Sequence, residues 1–268
     1  MRCQVRGADT FVSTGGREFD PDAPVLFFIH GSGQSHLTWL LQSRFFANRG
    51  WSVLAPDLPG HHLSGGDVPA TIEDAADWCI DLLNAAGVRT AIFIGHSQGG
   101  LTALELGRRH PDRVEKIAII ASALAIPVND ALITMAAENE PAAIKAMISW
   151  SHADQGHRHD HTMPGQSHLF YGTQVMASNT AGVLKTDLLA CNNYAGGADA
   201  AAAITCPTLA ILAAKDKMTP AKAGMAMAAA LKGGQHHIID GAGHFVHCEK
   251  SVETNAVLRP FFLEANQE

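Results

Sequence analysis

The chain is expected to fold as an α/β protein: a mostly parallel sheet with helices on both faces. Three observations predict this. Short, wholly apolar runs recur at 25–29 (VLFFI), 90–94 (TAIFI) and 208–213 (TLAILA), and a strand that is apolar on both sides belongs in a sheet buried on both faces. Segments with apolar residues at helical spacing alternate with these runs, as in successive βα units. Charged residues make up only 17% of the 268, below the usual quarter, as expected when much of the chain lies inside.

The elements follow in order. The first clear strand, 25–29, ends on His30-Gly31-Ser32-Gly33. Residues 35–48 read as a helix that Gly50 stops, and 51–55 (WSVLA) as the next strand. That strand runs into Pro56-Asp57-Leu58-Pro59-Gly60-His61-His62, whose turn residues predict a loop. Over 71–86, Ile72, Ala75, Ala76, Cys79, Ile80 and Leu83 fall on one side of a helix. Strand 90–94, helix 98–109 and strand 114–121 come next. Much later come strand 208–213, helix 221–231, a short strand 236–239 and a last helix 252–263. The interval 122–205 is rich in Ala, Met and His, with helical patches and no strand. It is too long for a plain crossover or a structureless loop. A helical insertion is expected there, roofing the sheet edge where α/β folds bind ligands. The chain then divides into a core of 1–121 and 206–268 and a cap of 122–205.

Composition removes several classes of function. With 19 Lys+Arg against 26 Asp+Glu the net charge is −7, and without a basic run no nucleic-acid partner is expected. The amino-terminal MRCQVRGADTFVST lacks the apolar core of a signal peptide. No run of about 18 apolar residues suggests a membrane span. Five scattered cysteines give neither a disulfide framework nor zinc-knuckle spacing. Cys79, Cys191 and Cys206 sit among apolar neighbours as small core residues, and Cys248 lacks a tight turn of its own. A cytoplasmic protein is expected.

Gly95-His96-Ser97-Gln98-Gly99 sits directly after strand 90–94 and at the start of helix 98–109. In that setting G-x-S-x-G marks a nucleophile elbow. The reason is steric. A strand that turns straight into a helix strains the central serine, so the residues two places either side must lack bulk. Gly95 and Gly99 meet that need, and Gly100 lets the helix approach the sheet. Ser97 then stands at a helix N-terminus, where the dipole favours developing negative charge. Neither glycine pattern of nucleotide-binding turns, G-x-G-x-x-G or G-x-x-x-x-G-K-S/T, occurs.

A serine is a weak nucleophile at neutral pH and needs a base that a third group orients. Of 15 histidines, His236, His237, His244 and His247 come late enough. His244 lies in Gly241-Ala242-Gly243-His244-Phe245, a loop of small residues from which an imidazole reaches over the sheet edge. His236 and His237 fall inside the last strand, and His247 at a helix start. For the acid, Asp216 follows strand 208–213 and so shares the sheet edge with Ser97. Asp240, ending the last strand, and Asp130, far out in the insertion, are less well placed. Backbone donors for an oxyanion are expected from the N–H of Gln98 and of Ser32, with Gly33 as the alternative to Ser32.

Five segments, FFIHGSG, APDLPGHHLS, IGHSQGG, LAAKDKMTP and GAGHFVHCEK, together resemble the α/β-hydrolase superfamily. The branch is that with a serine nucleophile and a helical cap between the sixth and seventh strands, and the likeness spans most of the chain. It implies eight strands, with the serine after strand five, the acid after strand seven and the histidine after strand eight. In the second segment His62 replaces the usual glycine, at the expected pocket rim. Because the elbow holds Ser97 and not Asp, the haloalkane dehalogenase and epoxide hydrolase branches are disfavoured.

The expected chemistry is acyl transfer. Ser97 attacks a carbonyl, His244 takes its proton, Asp216 holds the imidazolium, and the Ser32 and Gln98 N–H groups bind the oxyanion. The expected partner is a small-molecule acyl substrate, a small to medium carboxylic ester or lactone, with no cofactor and no metal. Trp39, Met135, Met147, Trp150, Met163, Phe170, Tyr171 and Phe245 could line an apolar pocket, though packing is the better reading of each taken singly. A carbon–carbon bond hydrolase acting on a diketone would use the same three residues, and a ligand receptor would use the same scaffold. A zinc site is a further reading. His152, His157, His159, His161 and His168 lie close in sequence, and 157, 159 and 161 would share one face of an extended segment. A solvated loop explains them as well, and no H-E-x-x-H accompanies them.

Overall fold

The computed structural model describes residues 1–154 and 167–263. Its strands are β1 (Arg2–Val5), β2 (Ala8–Ser13), β3 (Val25–Ile29), β4 (Ser52–Pro56), β5 (Ala91–His96), β6 (Val114–Ile120), β7 (Thr208–Ala213) and β8 (Gln235–Ile239). They form one sheet of eight strands in the order β1-β2-β4-β3-β5-β6-β7-β8. From β4 to β8 all neighbours run parallel, while β1 with β2 and β2 with β4 are antiparallel. The helices are α1 (Leu40–Ala47), α2 (Ile72–Ala85), α3 (Gln98–Arg109), α4 (Asp130–Glu138), α5 (Glu140–Ser151), α6 (His168–Ala177), α7 (Val183–Asn193), α8 (Gly197–Ala203), α9 (Ala221–Ala230), α10 (Val246–Glu249) and α11 (Ser251–Leu263). Among the described residues no helix is long and apolar enough to cross a membrane.

The elements read from the sequence are present, with ends shifted by no more than two residues. The predicted helix 35–48 opens as a 3₁₀ turn, His36–Trp39, with the Ser35 hydroxyl accepting from the Leu37 N–H, before α1 begins. The β1–β2 hairpin supplies the two strands that periodicity did not locate. Its strands mix polar and apolar residues and are half exposed, and Arg6 and Gly7 turn the chain at φ 50° and 78°, as a two-residue hairpin loop requires.

Successive side chains of a strand point to opposite faces, and both faces are dry. Phe27, Phe93, Ile117 and Ile119 join a core with α2, α3 and α9. Leu26, Phe28, Ile92, Ile94 and Ile120 join another with α1 and α11. With both faces covered, the carboxyl edge of the strands remains for chemistry. Between β6 and β7 the helices α4, α5, α6 and α7 share a third apolar cluster with Phe245 and Cys248. The next helix, α8, packs into the core beside α3 through Ala200 and Ala201.

Candidate active site

Ser97 sits between β5 and α3 at φ 53°, ψ −117°, a conformation costly for any residue with a side chain. Its surroundings over-determine it. Its N–H donates to the Ile120 carbonyl at 3.0 Å, and its own carbonyl accepts from Gly100 N–H and from the Ser122 hydroxyl, both at 2.8 Å. The glycines behave as the motif demands. A Cβ on Gly95 would lie 2.0 Å from the Gly99 carbonyl oxygen, and one on Gly99 would lie 2.3 Å from the Ile29 carbonyl oxygen. Strand and helix can meet this closely only without side chains there.

His244 follows β8, and its backbone is pinned on both sides. Its N–H donates to Ser151 in α5 at 2.6 Å, and its carbonyl accepts from His96 Nε2 at 3.0 Å. His244 Nδ1 donates to Asp216 Oδ2 at 2.9 Å, which leaves Nε2 as the basic nitrogen. Asp216, just past β7, accepts at Oδ1 from the N–H groups of Met218 (2.8 Å) and Thr219 (2.9 Å), and at Oδ2 from the Thr219 hydroxyl (2.8 Å). Burial would raise the Asp216 pKa, but His244 and the Thr219 donors outweigh it and hold the carboxyl below its ordinary value. The rival groups lie elsewhere. His236 and His237 are exposed on the edge strand, and Asp240 and Asp130 are exposed too. His247 is buried with Nε2 at 3.0 Å from the Thr38 hydroxyl.

Neither the Ser32 N–H nor the Gln98 N–H meets a protein acceptor among the described residues. The alternative donor, Gly33, is excluded because its N–H is spent on Asp187 Oδ2 at 2.7 Å. The loop backbone lies against Ser97, since a Cβ on Gly31 would stand 3.1 Å from Ser97 Cβ.

Ser97, His244, Ser32 and Thr219 face one cavity of about 350 Å³, within the range of small-molecule sites. Its roof is apolar: Met147, Ile148 and Trp150 from α5, Met176 from α6, and Leu188 and Cys191 from α7. Of the pocket candidates, Met147, Trp150 and Phe245 line it. Trp39 does not; it is fully buried against Phe28. Met135 also lies outside the cavity lining, as does Tyr171, whose hydroxyl donates to the Leu37 carbonyl; Phe170 is exposed. Met163 and the run His157, His159 and His161 lie outside the described residues. His62 is not in the cavity wall; its N–H donates to Asn179 Oδ1 at 2.9 Å.

Several buried polar residues were not anticipated. His30 accepts the Leu58 N–H at Nε2 (3.0 Å), and burial, aided by His61, lowers its pKa to about 4. His61 Nδ1 lies 3.0 Å from the Pro59 carbonyl and Nε2 lies 2.9 Å from Asp187 Oδ2. Burial alone would lower the His61 pKa, but Asp187 and the Pro59 carbonyl raise it. His96 is held well below its ordinary value by burial, His247 and His244, so it serves as a neutral donor to the His244 loop. His36, Asp57 and His62 offer ligand atoms within 4.8 Å of one another. The Asp57 oxygens, however, already accept from the ring and N–H of His36 and from Leu63 N–H, so the group is satisfied without a cation.

A sequence model described as the alpha/beta hydrolase family matches residues 26–254. Protein ABHD8 from Bos taurus is 28% identical over 247 residues; the match covers 89% of this chain and 56% of that protein, so the chain spans about half the length of this curated relative. Among solved structures, the enol-lactonase from Burkholderia xenovorans superimposes with a TM-score of 0.88 at 23% identity, over 98% of this chain and 100% of that one. An esterase from Exiguobacterium antarcticum gives 0.86 at 16% identity, over 98% and 99%. These two share the fold. With the family model spanning all but the first two strands and most of the last helix, the chain belongs to the alpha/beta hydrolase family.

Proposed function

We propose that the chain is a serine hydrolase that cleaves a small to medium carboxylic ester or lactone through an acyl-enzyme. The observation that carries this reading is the convergence on one cavity of a strained serine, a histidine bonded to a buried carboxylate, and Ser32, with the backbone N–H groups of Ser32 and of Gln98, next to the serine, lacking protein acceptors among the described residues. Ser97 Oγ attacks the carbonyl carbon as its proton passes to His244 Nε2, and the new imidazolium is stabilised by Asp216. The oxyanion takes hydrogen bonds from Ser32 and Gln98 N–H. His244 then returns the proton to the leaving alkoxide. Water, activated by the same imidazole, attacks the acyl-enzyme and frees the acid and Ser97. No step requires a metal or an organic cofactor.

The apolar roof supports an acyl group over a charged one. Two proteins that share the fold are named as an enol-lactonase and an esterase, which is the bond class proposed. The test is hydrolysis of p-nitrophenyl esters from acetate to octanoate and of simple lactones, by wild type and Ser97→Ala in parallel. Turnover in the wild type that vanishes in the variant is the expected result. Turnover that survives in Ser97→Ala overturns it.

A further inference from the structure

Asp187 is a carboxylate on an inserted helix, α7, with its side chain 2% exposed. Burying such a charge costs several kcal/mol unless partners compensate it, so its partners indicate its role. Oδ2 accepts from the Gly33 N–H at 2.7 Å and from His61 Nε2 at 2.9 Å, and Oδ1 accepts from Gln98 Nε2 at 3.4 Å. The tautomer of His61 follows from geometry. Nδ1 faces a carbonyl, which only accepts, and Nε2 faces a carboxylate, so both nitrogens donate and the ring is an imidazolium. Asp187 and His61 are therefore a buried ion pair that joins the inserted helix to the loop after β4.

Two of these partners adjoin the groups assigned to the oxyanion. Gly33 follows Ser32, and Gln98 itself supplies the second backbone donor. Gly33 is gripped at its other end as well, its carbonyl accepting from Asn179 Nδ2 at 2.7 Å. Asn179 lies between α6 and α7, so both hydrogen bonds come from the insertion. Contact is tight too: a Cβ on Gly33 would stand 3.0 Å from Leu184 and 3.0 Å from Met176, with φ at +65°.

We infer that Asp187 is a positioning residue: with Asn179 it clamps Gly33 so that the Ser32 and Gln98 N–H groups converge on one point, and the oxyanion site is competent only while α7 is docked. This rests on the serine-hydrolase reading above. Substrate binding energy that seats α6 and α7 thereby also sets the donors. In Asp187→Asn the amide can accept with only one oxygen, and its NH₂ group faces other donors, so the clamp loosens without loss of bulk.

The test uses the whole chain, with Asp187→Asn, Asn179→Ala and, as a control on the exposed side of α7, Lys185→Ala. Loss of a whole oxyanion donor costs about 100- to 1,000-fold in kcat. A displaced donor should cost less, so kcat is expected to fall about 10- to 100-fold in Asp187→Asn, less in Asn179→Ala and not in Lys185→Ala. KM should stay within about threefold, because Asp187 itself does not line the acyl pocket. Hydrogen exchange of the Gly33 amide should quicken in Asp187→Asn. An unchanged kcat, a rise in KM alone, or unchanged Gly33 exchange overturns the inference. The exchange measurement also separates the two readings: a wild type inert on all the esters and lactones defeats the hydrolase reading, while Gly33 protection still reports whether Asp187 holds the loop. If Asp187→Asn does not fold, Asn179→Ala carries the same kcat, KM and exchange criteria.

Discussion

Replacing Ser97 by glycine should show that the backbone at this serine is strained, and by how much. At φ 53°, ψ −117° the residue lies near the mirror image of the β region, accessible to achiral glycine but costing about 1–3 kcal/mol for any other residue. Compare Ser97→Ala, which keeps the Cβ and the strain, with Ser97→Gly, which loses both. At an unstrained site the glycine variant would be the weaker by about 1.5 kcal/mol, from extra chain entropy of about 0.5–1 kcal/mol and the loss of a buried carbon worth about 0.8 kcal/mol. Here strain release of about 2 kcal/mol should reverse the order, leaving Ser97→Gly about 0.5 kcal/mol the more stable. The side chain makes no cap hydrogen bond, so nothing else of consequence is lost. Urea denaturation of both variants at pH 7.5 measures the difference, and ester hydrolysis should be absent from both. A Ser97→Gly protein weaker than Ser97→Ala by the full 1.5 kcal/mol or so would refute the argument that strain is stored at the elbow.

Acid should weaken the fold well above the carboxylate range. Burial, with His61 next, lowers the His30 pKa to about 4; burial, with His244 and then His152, lowers that of His247 to about 3; and His96 is held well below its ordinary value. A base whose folded pKa is depressed takes up protons on unfolding below pH 6.5, so stability falls as pH drops from 6.5 toward those values. Glu249, raised to about 7 by burial despite the Ala153 and Gly243 N–H groups it accepts, works in the opposite sense and offsets one histidine. Two uncompensated histidines, half protonated in the unfolded chain at pH 6.5 and almost fully at pH 5, give a loss of about 3 kcal/mol over that interval, at about 1.4 kcal/mol per unit of full slope. Urea midpoints at the two pH values check this, and equal midpoints contradict it. His62 also has positive φ, 41°, where a left-handed backbone costs about 1–2 kcal/mol. His62→Gly should therefore raise the melting temperature by about 2 °C, and a lowered melting temperature would mean that the imidazole makes contacts outweighing the strain.

Local chemistry made much of this chain legible. The runs VLFFI and TLAILA are apolar at every position because both faces of the sheet are covered, which no tertiary knowledge is needed to infer. Gly95 and Gly99 announce the elbow because the clash they avoid involves carbonyls only a few residues or one strand away. Asp216 and His244 could be placed because each follows a strand end on the edge where Ser97 stands. Other features depended on how distant segments dock. The β1–β2 hairpin is half exposed, so its pattern is diluted by polar residues. Trp39 could have served either the pocket or the core from its sequence setting, and it is buried in the core beneath α1 and α11, a choice made by the sheet's second face. Gly33 stood as the alternative donor to Ser32 until Asp187, 154 residues further on, claimed the Gly33 N–H. The sequence by itself determined which segments turn, which are buried and where a nucleophile can stand, because sterics and periodicity act over a few residues. Only the tertiary structure decided which N–H groups remain free, which imidazoles are charged and what roofs the cavity, because those depend on contacts between segments far apart in the chain.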